Sequence, residues 1–216
     1  MKISKYFNSL LFGALIIPTQ DFKDWKIEKF SKIPKNEVTA SKEGLRIKVE
    51  NSASPLIFPL KTKNKILGFK IKGEFFGLPQ FSDVTKQGEK GFDDYALRLG
   101  FVIRGDKRLT GFKKLIAADW VKNLFSLVND GSGLDRVQFF NVTQNQKQLG
   151  KERLHPSTDL FEEHFFKSVS VPGPFLYEHQ FTTKQDVAAL WLSIDGDDTK
   201  SKYEVLISEL VVIEED

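Results

Sequence analysis

A chain of 216 residues, 40% hydrophobic and 28% charged, can bury one sizeable core and has the balance of a folded globular domain, which excludes the disordered and collagen-like classes. The absence of cysteine excludes a disulfide scaffold, thiolate-held zinc, iron–sulfur clusters and a thiol nucleophile. A net charge of +3 points to no nucleic-acid partner, while 20 phenylalanines point to strands and an aromatic interior.

The first segment reads as an address. Lys2 and Lys5 precede the apolar run Leu10–Ile17, which Pro18 closes. A basic start followed by a short apolar run has the layout of a secretory signal. Residues 1–20 are therefore expected to be a signal peptide and 21–216 one domain, periplasmic or secreted. The run is too short to span a bilayer, which takes roughly 20 residues. Pro18-Thr19-Gln20 is not an Ala-x-Ala site, so the cleavage point stays open; the alternative is a buried N-terminal strand or helix. With no cysteine, a lipid-modified N-terminal cysteine is excluded. Residues 21–216 carry 30 basic and 29 acidic side chains, so global charge says nothing about partners.

From Trp25 onward the dominant period is two. Leu45, Ile47 and Val49 alternate with Arg46, Lys48 and Glu50. Leu67, Phe69, Ile71, Gly73 and Phe75 alternate with Gly68, Lys70, Lys72 and Glu74. Tyr95, Leu97, Leu99, Phe101 and Ile103 alternate with Ala96, Arg98, Gly100, Val102 and Arg104. Such patterns predict antiparallel strands with one buried and one wet face. Further strands are expected over 25–33, 37–41, 55–61, 136–143, 165–171, 174–182, 187–195 and 203–213, the last two apolar on both faces and so central. Turn chemistry at Lys42-Glu43-Gly44, Pro172-Gly173-Pro174 and Gly196-Asp197-Asp198 separates several of them. Residues 77–94 read as a long polar loop. Residues 107–128 switch to helical spacing, with Asp119 as an N-cap and Phe112, Ile116 and Trp120 four apart, which predicts short inserted helices. The fold expected is all-β, an antiparallel β-sandwich of jelly-roll type with helices inserted around 107–128.

Several stretches, Asn51-Ser52-Ala53-Ser54, Phe92–Leu99, Ala118–Val121, Asn141–Gln144, His155-Pro156 and Ile194–Thr199, together resemble an uncharacterised family of exported bacterial proteins, a domain of unknown function. That family's closing motif reads Asp-Thr-Asp-Asn-Thr; here Asp195, Asp197 and Thr199 match it, and Gly196 and Asp198 depart. The resemblance implies a β-sandwich of the kind seen in carbohydrate-binding modules and supplies no catalytic residue.

Four features carry candidate chemistry. Asp195, Asp197 and Asp198 crowd hard oxygen ligands around a glycine, a pattern open to a structural calcium or to a solvated tight turn, the commoner use. Arg46, Lys48, Lys70, Lys72, Arg98 and Arg104 lie on wet strand faces and, were those strands adjacent, would form a basic face for an acidic glycan or a phosphate; a merely solvated face is the alternative. Trp25, Trp120 and Trp191 offer flat rings for sugar stacking, with Trp191 reading as core and Trp120 as the most exposed. The insertion carries Lys107, Arg108, Lys113, Lys114 and Lys122 among Phe112, Leu115, Ile116 and Trp120, which suits a membrane surface or a cap on the sandwich. Gly-x-Ser-x-Gly, Walker and His-Glu-x-x-His motifs are absent, and His155, His164 and His179 have no metal-ligand spacing.

These readings converge on an exported, non-catalytic, monomeric module that binds carbohydrate or another envelope component through Arg98, Arg104, Trp120, Lys70 and Lys72. No cofactor is expected beyond calcium at the Asp195 loop. One alternative is a polysaccharide-active enzyme drawing a carboxylate pair from Glu162, Glu163 or the Asp195 loop. The other is an envelope protein meeting lipid through 107–128.

Overall fold

The computed structural model describes residues 12–60, 65–111, 117, 119–128, 131–156 and 158–215. Its strands are β1 (Phe12–Ile17), β2 (Lys26–Ile27), β3 (Glu37–Ser41), β4 (Gly44–Glu50), β5 (Leu56–Pro59), β6 (Lys65–Phe76), β7 (Leu97–Gly105), β8 (Gly133–Thr143), β9 (Glu152–His155), β10 (Thr158–Ser168), β11 (Gly173–Ser193) and β12 (Lys202–Glu215). One helix, α1 (Asp119–Ser126), interrupts them.

The strands pack as the expected sandwich. The first layer runs β3-β4-β12-β6 and ends on the first half of β11. The second half of β11 belongs to the other layer, where it pairs with β5 on one edge and β7 on the other, and β8, β10 and β9 follow. Pairing is antiparallel except between β8 and β10, which run parallel. That exception corrects the wholly antiparallel expectation. The β9–β10 hairpin folds back so that its second strand enters beside β8.

Two expected strands, 174–182 and 187–195, are one continuous β11 that changes layer. Its register against β6 breaks between Gln180 and Gln185, and it takes up β7 from Val187 onward. The expected strand 25–33 shrinks to Lys26–Ile27, because its partner β5 is preceded by Pro55, which has no N–H to extend the ladder. In β6 a register shift opposite Ile213 and Glu214 buries Ile66 where simple alternation predicts Leu67. The β3–β4 hairpin turns at Gly44, whose φ is 136° and where a Cβ would fall 2.2 Å from the Ile207 carbonyl oxygen.

Between the layers lies the main core, where Leu45, Ile47, Phe69, Ile71, Leu99, Phe101, Phe140, Leu190, Val205 and Ile207 are all fully buried. A second apolar cluster covers the opposite face of the second layer. There Leu124 and Val128 pack with Val102, Val137, Phe139, Ala189 and Trp191. The apolar stripe of α1 is thus used against the sheet; Phe112, Lys113, Lys114, Leu115 and Ile116 lie outside the described residues. No helix among the described residues is long and apolar enough to cross a membrane.

Coverage on both faces explains β7. Its alternation predicts a wet face, yet every residue from Leu97 to Ile103 is buried, Arg98 included. The basic face does not assemble. Arg98 and Arg104 lie in the second layer, while β12 separates Arg46 and Lys48 from Lys70 and Lys72 in the first. Glu37 and Glu204 answer Lys48 and Arg46 at 3.8 Å, Glu43 answers Arg46 at 3.4 Å, and Glu209 answers Lys70 at 2.7 Å.

Phe12–Ile17, the apolar run of the expected signal, forms edge strand β1 against Leu210–Glu215 of β12. Ile17 is buried in the main core, and the Trp25 indole donates to the Pro18 carbonyl at 2.7 Å.

Candidate functional site

Strand register lines up residues across the outer face of the second layer. One row runs Ile57, Trp191, Gly100, Phe139, Glu163, Arg153; the next holds Ser193, Arg98, Asn141 and Phe165. Gly100 lets the two flanking aromatics close in: a Cβ there would meet the Phe139 ring at 2.6 Å and the Trp191 Cβ at 3.1 Å. Phe161 and Trp120 complete an aromatic wall, with ring centroids 5.1 Å apart for Phe139–Phe161 and 5.3 Å for Trp120–Phe161.

This wall bounds a cavity of about 280 Å³. Phe30, Ile33, Ala53 and Pro55 close one side, and Asp93, Asp94, Asp195, Asp197 and Asp198 line another with Arg98 and His155. A second depression of about 550 Å³ shares Asp93, His155 and Asp198 with it.

Two loops set the acidic side. The 77–94 loop is fastened by buried Gln87. Its Oε1 accepts from Thr143, Gln144 and Asn145, and its Nε2 donates to the Asp94 carbonyl at 2.9 Å. The carboxylate of Asp94 then accepts the Thr199 N–H at 2.7 Å and the Thr199 hydroxyl at 2.6 Å, while Asp198 accepts the Asp93 N–H at 2.9 Å. Asp195 accepts the Ser193 hydroxyl at 2.7 Å, and its carbonyl accepts from Tyr203 at 2.7 Å. Asp94 thus ties the turn at Asp197–Thr199 to the 77–94 loop, while Asp195 beside it is buried.

Below the cavity floor lies an ionic network. Arg98 donates to Asp93 at 2.7 Å and to fully buried Glu163 at 3.2 Å, and Arg153 donates to Glu163 at 2.7 Å. Asn141 donates to Glu163 at 2.8 Å, and His155 Nε2 lies 3.0 Å from Asp93. The guanidinium of Arg98 sits 4.2 Å over the Tyr95 ring. Removing one partner from such a buried pair typically costs about 3–5 kcal/mol.

The carboxyl groups separate electrostatically. Burial opposes ionisation of Asp93, but Arg98 and His155 beside it hold its pKa below the ordinary value. Burial raises Asp94, against the Thr199 hydrogen bonds. Burial also pushes Asp195 up to about 7 and Asp197 up to about 6, with neighbouring aspartates adding to both.

Of the residues singled out in the sequence, Arg98, Trp120, Asp195, Asp197 and Asp198 meet in this cavity. Arg104 instead pairs with Asp186 at 3.2 Å, Lys70 pairs with Glu209, and Lys72 is exposed on the far layer. The Asp195 loop does not gather as a metal cluster. Among the described residues the group with ligand atoms within 4.8 Å of one another is Asp93, His155 and Glu163, and Glu163 there is already held by two arginines and Asn141. Glu162 and Glu163 point to opposite faces, Glu162 toward Arg136 and His164. Trp191, expected as core, is 4% exposed and still lines the cavity. Asp93, Asp94, Phe139, His155 and Phe161 were not singled out as site residues. Asp93, Asp94 and His155 do fall in stretches that carry the family resemblance.

No family model matches the chain, and no curated protein matches it. Similar solved structures include carbohydrate-binding domains and a transglycosylase, Crh5, solved with NAG. The xylan-binding module CBM15 has 8% identity and a TM-score of 0.36 over 94% of this chain and 96% of that one. CBM27-1 of Caldicellulosiruptor saccharolyticus, solved with mannohexaose, has 13% identity and a TM-score of 0.35 over 93% and 96%. The Emp47p carbohydrate recognition domain has 11% and 0.40 over 92% and 94%.

Proposed function

We propose that the protein is an exported saccharide-binding module whose site is the cavity between the aromatic wall and the aspartate loops. The observation that carries this reading is one cavity with Trp120, Phe139, Phe161 and Trp191 on one side and five aspartates with Arg98 on the other. A pyranose presents apolar C–H faces and a rim of hydroxyls; rings take the first and carboxylates accept from the second. Export rests on Lys2, Lys5 and the apolar run after them.

Titration calorimetry with a panel of oligosaccharides, xylo-, manno- and glucosamine-based, tests it. Trp120→Ala is expected to weaken the best ligand by about tenfold or more, the size of one lost stacking contact, while Leu176→Ala on the far layer leaves it unchanged. A panel with no binder overturns the reading.

A second reading, hydrolysis of a glycosidic bond, is favoured by one observation: Asp195 and Asp197 share the cavity, with pKa values pushed up to about 7 and about 6. Release of reducing ends by the wild type, abolished in Asp195→Asn or Asp197→Asn, would establish it; binding without turnover would leave the non-catalytic reading.

A further inference from the structure

The cavity is better furnished for a particular kind of saccharide than for saccharides at large. We propose that it selects a positively charged one, a pyranose oligomer bearing free amino groups, with the ammonium facing the aspartates and a ring face against the aromatic wall. This inference rests on the saccharide reading above.

Two observations support it. The charge is unbalanced: five aspartates line the space, and the positive charge of Arg98 is already divided between Asp93 and Glu163. Arg153 is spent on Glu163 in the same way. The raised pKa values of Asp195 and Asp197 express that imbalance together with burial. A neutral sugar would displace water without supplying charge, whereas a cation would offset the repulsion. The walls agree, since indole and phenyl faces attract cations as well as C–H groups.

The second concerns size. The neighbouring depression shares Asp93, His155 and Asp198 with the cavity and is lined also by Glu89 and Lys90. A cleft with two compartments sharing one acidic border suits an oligomer of at least two units.

The experiment is calorimetry on the full chain at neutral pH with glucosamine tetramer, its fully N-acetylated counterpart, cellotetraose and a polygalacturonate fragment. Expected is binding of the glucosamine tetramer about tenfold or more tighter than the acetylated or neutral oligomer, with none of the anionic one. The Asp195→Asn/Asp197→Asn variant, checked for fold by circular dichroism, is expected to lose that preference. Equal or tighter binding of the acetylated or neutral tetramer overturns charge selection and leaves the saccharide reading standing. Failure of every oligosaccharide overturns both.

Discussion

At the scale of single residues, the protein holds charge where burial makes it expensive, and it does so in two ways. Glu163 is fully buried and stays compensated because Arg98, Arg153 and Asn141 converge on it. Asp195 is compensated less and keeps its proton to about pH 7. A carboxyl with a raised folded pKa binds a proton over a range where the unfolded chain has lost it. Its contribution to stability is present below the unfolded value of 3.8 and is lost as pH rises toward 7. Asp195→Asn, which keeps an acceptor for Ser193, is therefore expected to raise the melting temperature by about 3 °C or more above pH 7. At about pH 5 the gain shrinks, because the wild-type carboxyl is then protonated in the fold. Thermal melts at the two pH values check this; an equal gain at both refutes the buried-acid account. Asp195 was legible as an acidic loop residue, but burial is a tertiary property, so its protonation was not.

Among the elements, β1 and β11 depart furthest from the sequence pattern. The alternation of β11 gave two strands because Thr182, Thr183 and Lys184 are polar and the register against β6 breaks there, while the strand continues from one layer into the other. Strand β1 uses residues whose composition equally suits an export signal. Removal of residues 1–20 would bare the Leu210–Glu215 edge of β12 and empty the core niche of Ile17. Burying one such side chain contributes about 1.5–3 kcal/mol. A chain starting at Asp21 is thus expected to unfold at lower urea concentration than the full chain, by about 2 kcal/mol or more. N-terminal sequencing of the protein recovered from cells and from the medium would show which form is kept. The helix was legible because helical spacing from Trp120 on and Asp119 before it are local signals; that its Trp120 lines a cavity was not.

For the molecule as a whole, the outer surface and the cavity carry different electrostatics. In the first layer Arg46 is answered by Glu43 and Glu204, Lys48 by Glu37 and Lys70 by Glu209, and the cavity of the second layer is acidic. Neither surface suits a polyanion. The protein is expected to pass a heparin column at roughly 0.15 M salt, where exposed charges beyond about 8 Å are screened. Retention under those conditions would restore the basic-face reading drawn from Arg46, Lys48, Lys70 and Lys72.

The sequence by itself determined the layers. Alternation at Leu45–Val49 and Phe69–Phe75 fixes which side chains leave water, and that follows from the two-residue period of any strand. The sequence also marked Arg98, Trp120 and Asp195 as residues worth notice. Only the tertiary structure decided that they belong together. Their convergence depends on the order in which strands pair, on β11 changing layers and on Gln87 pinning the loop that carries Asp93 and Asp94. Strand order is set by long-range contacts between segments distant in the chain, which a local period does not encode.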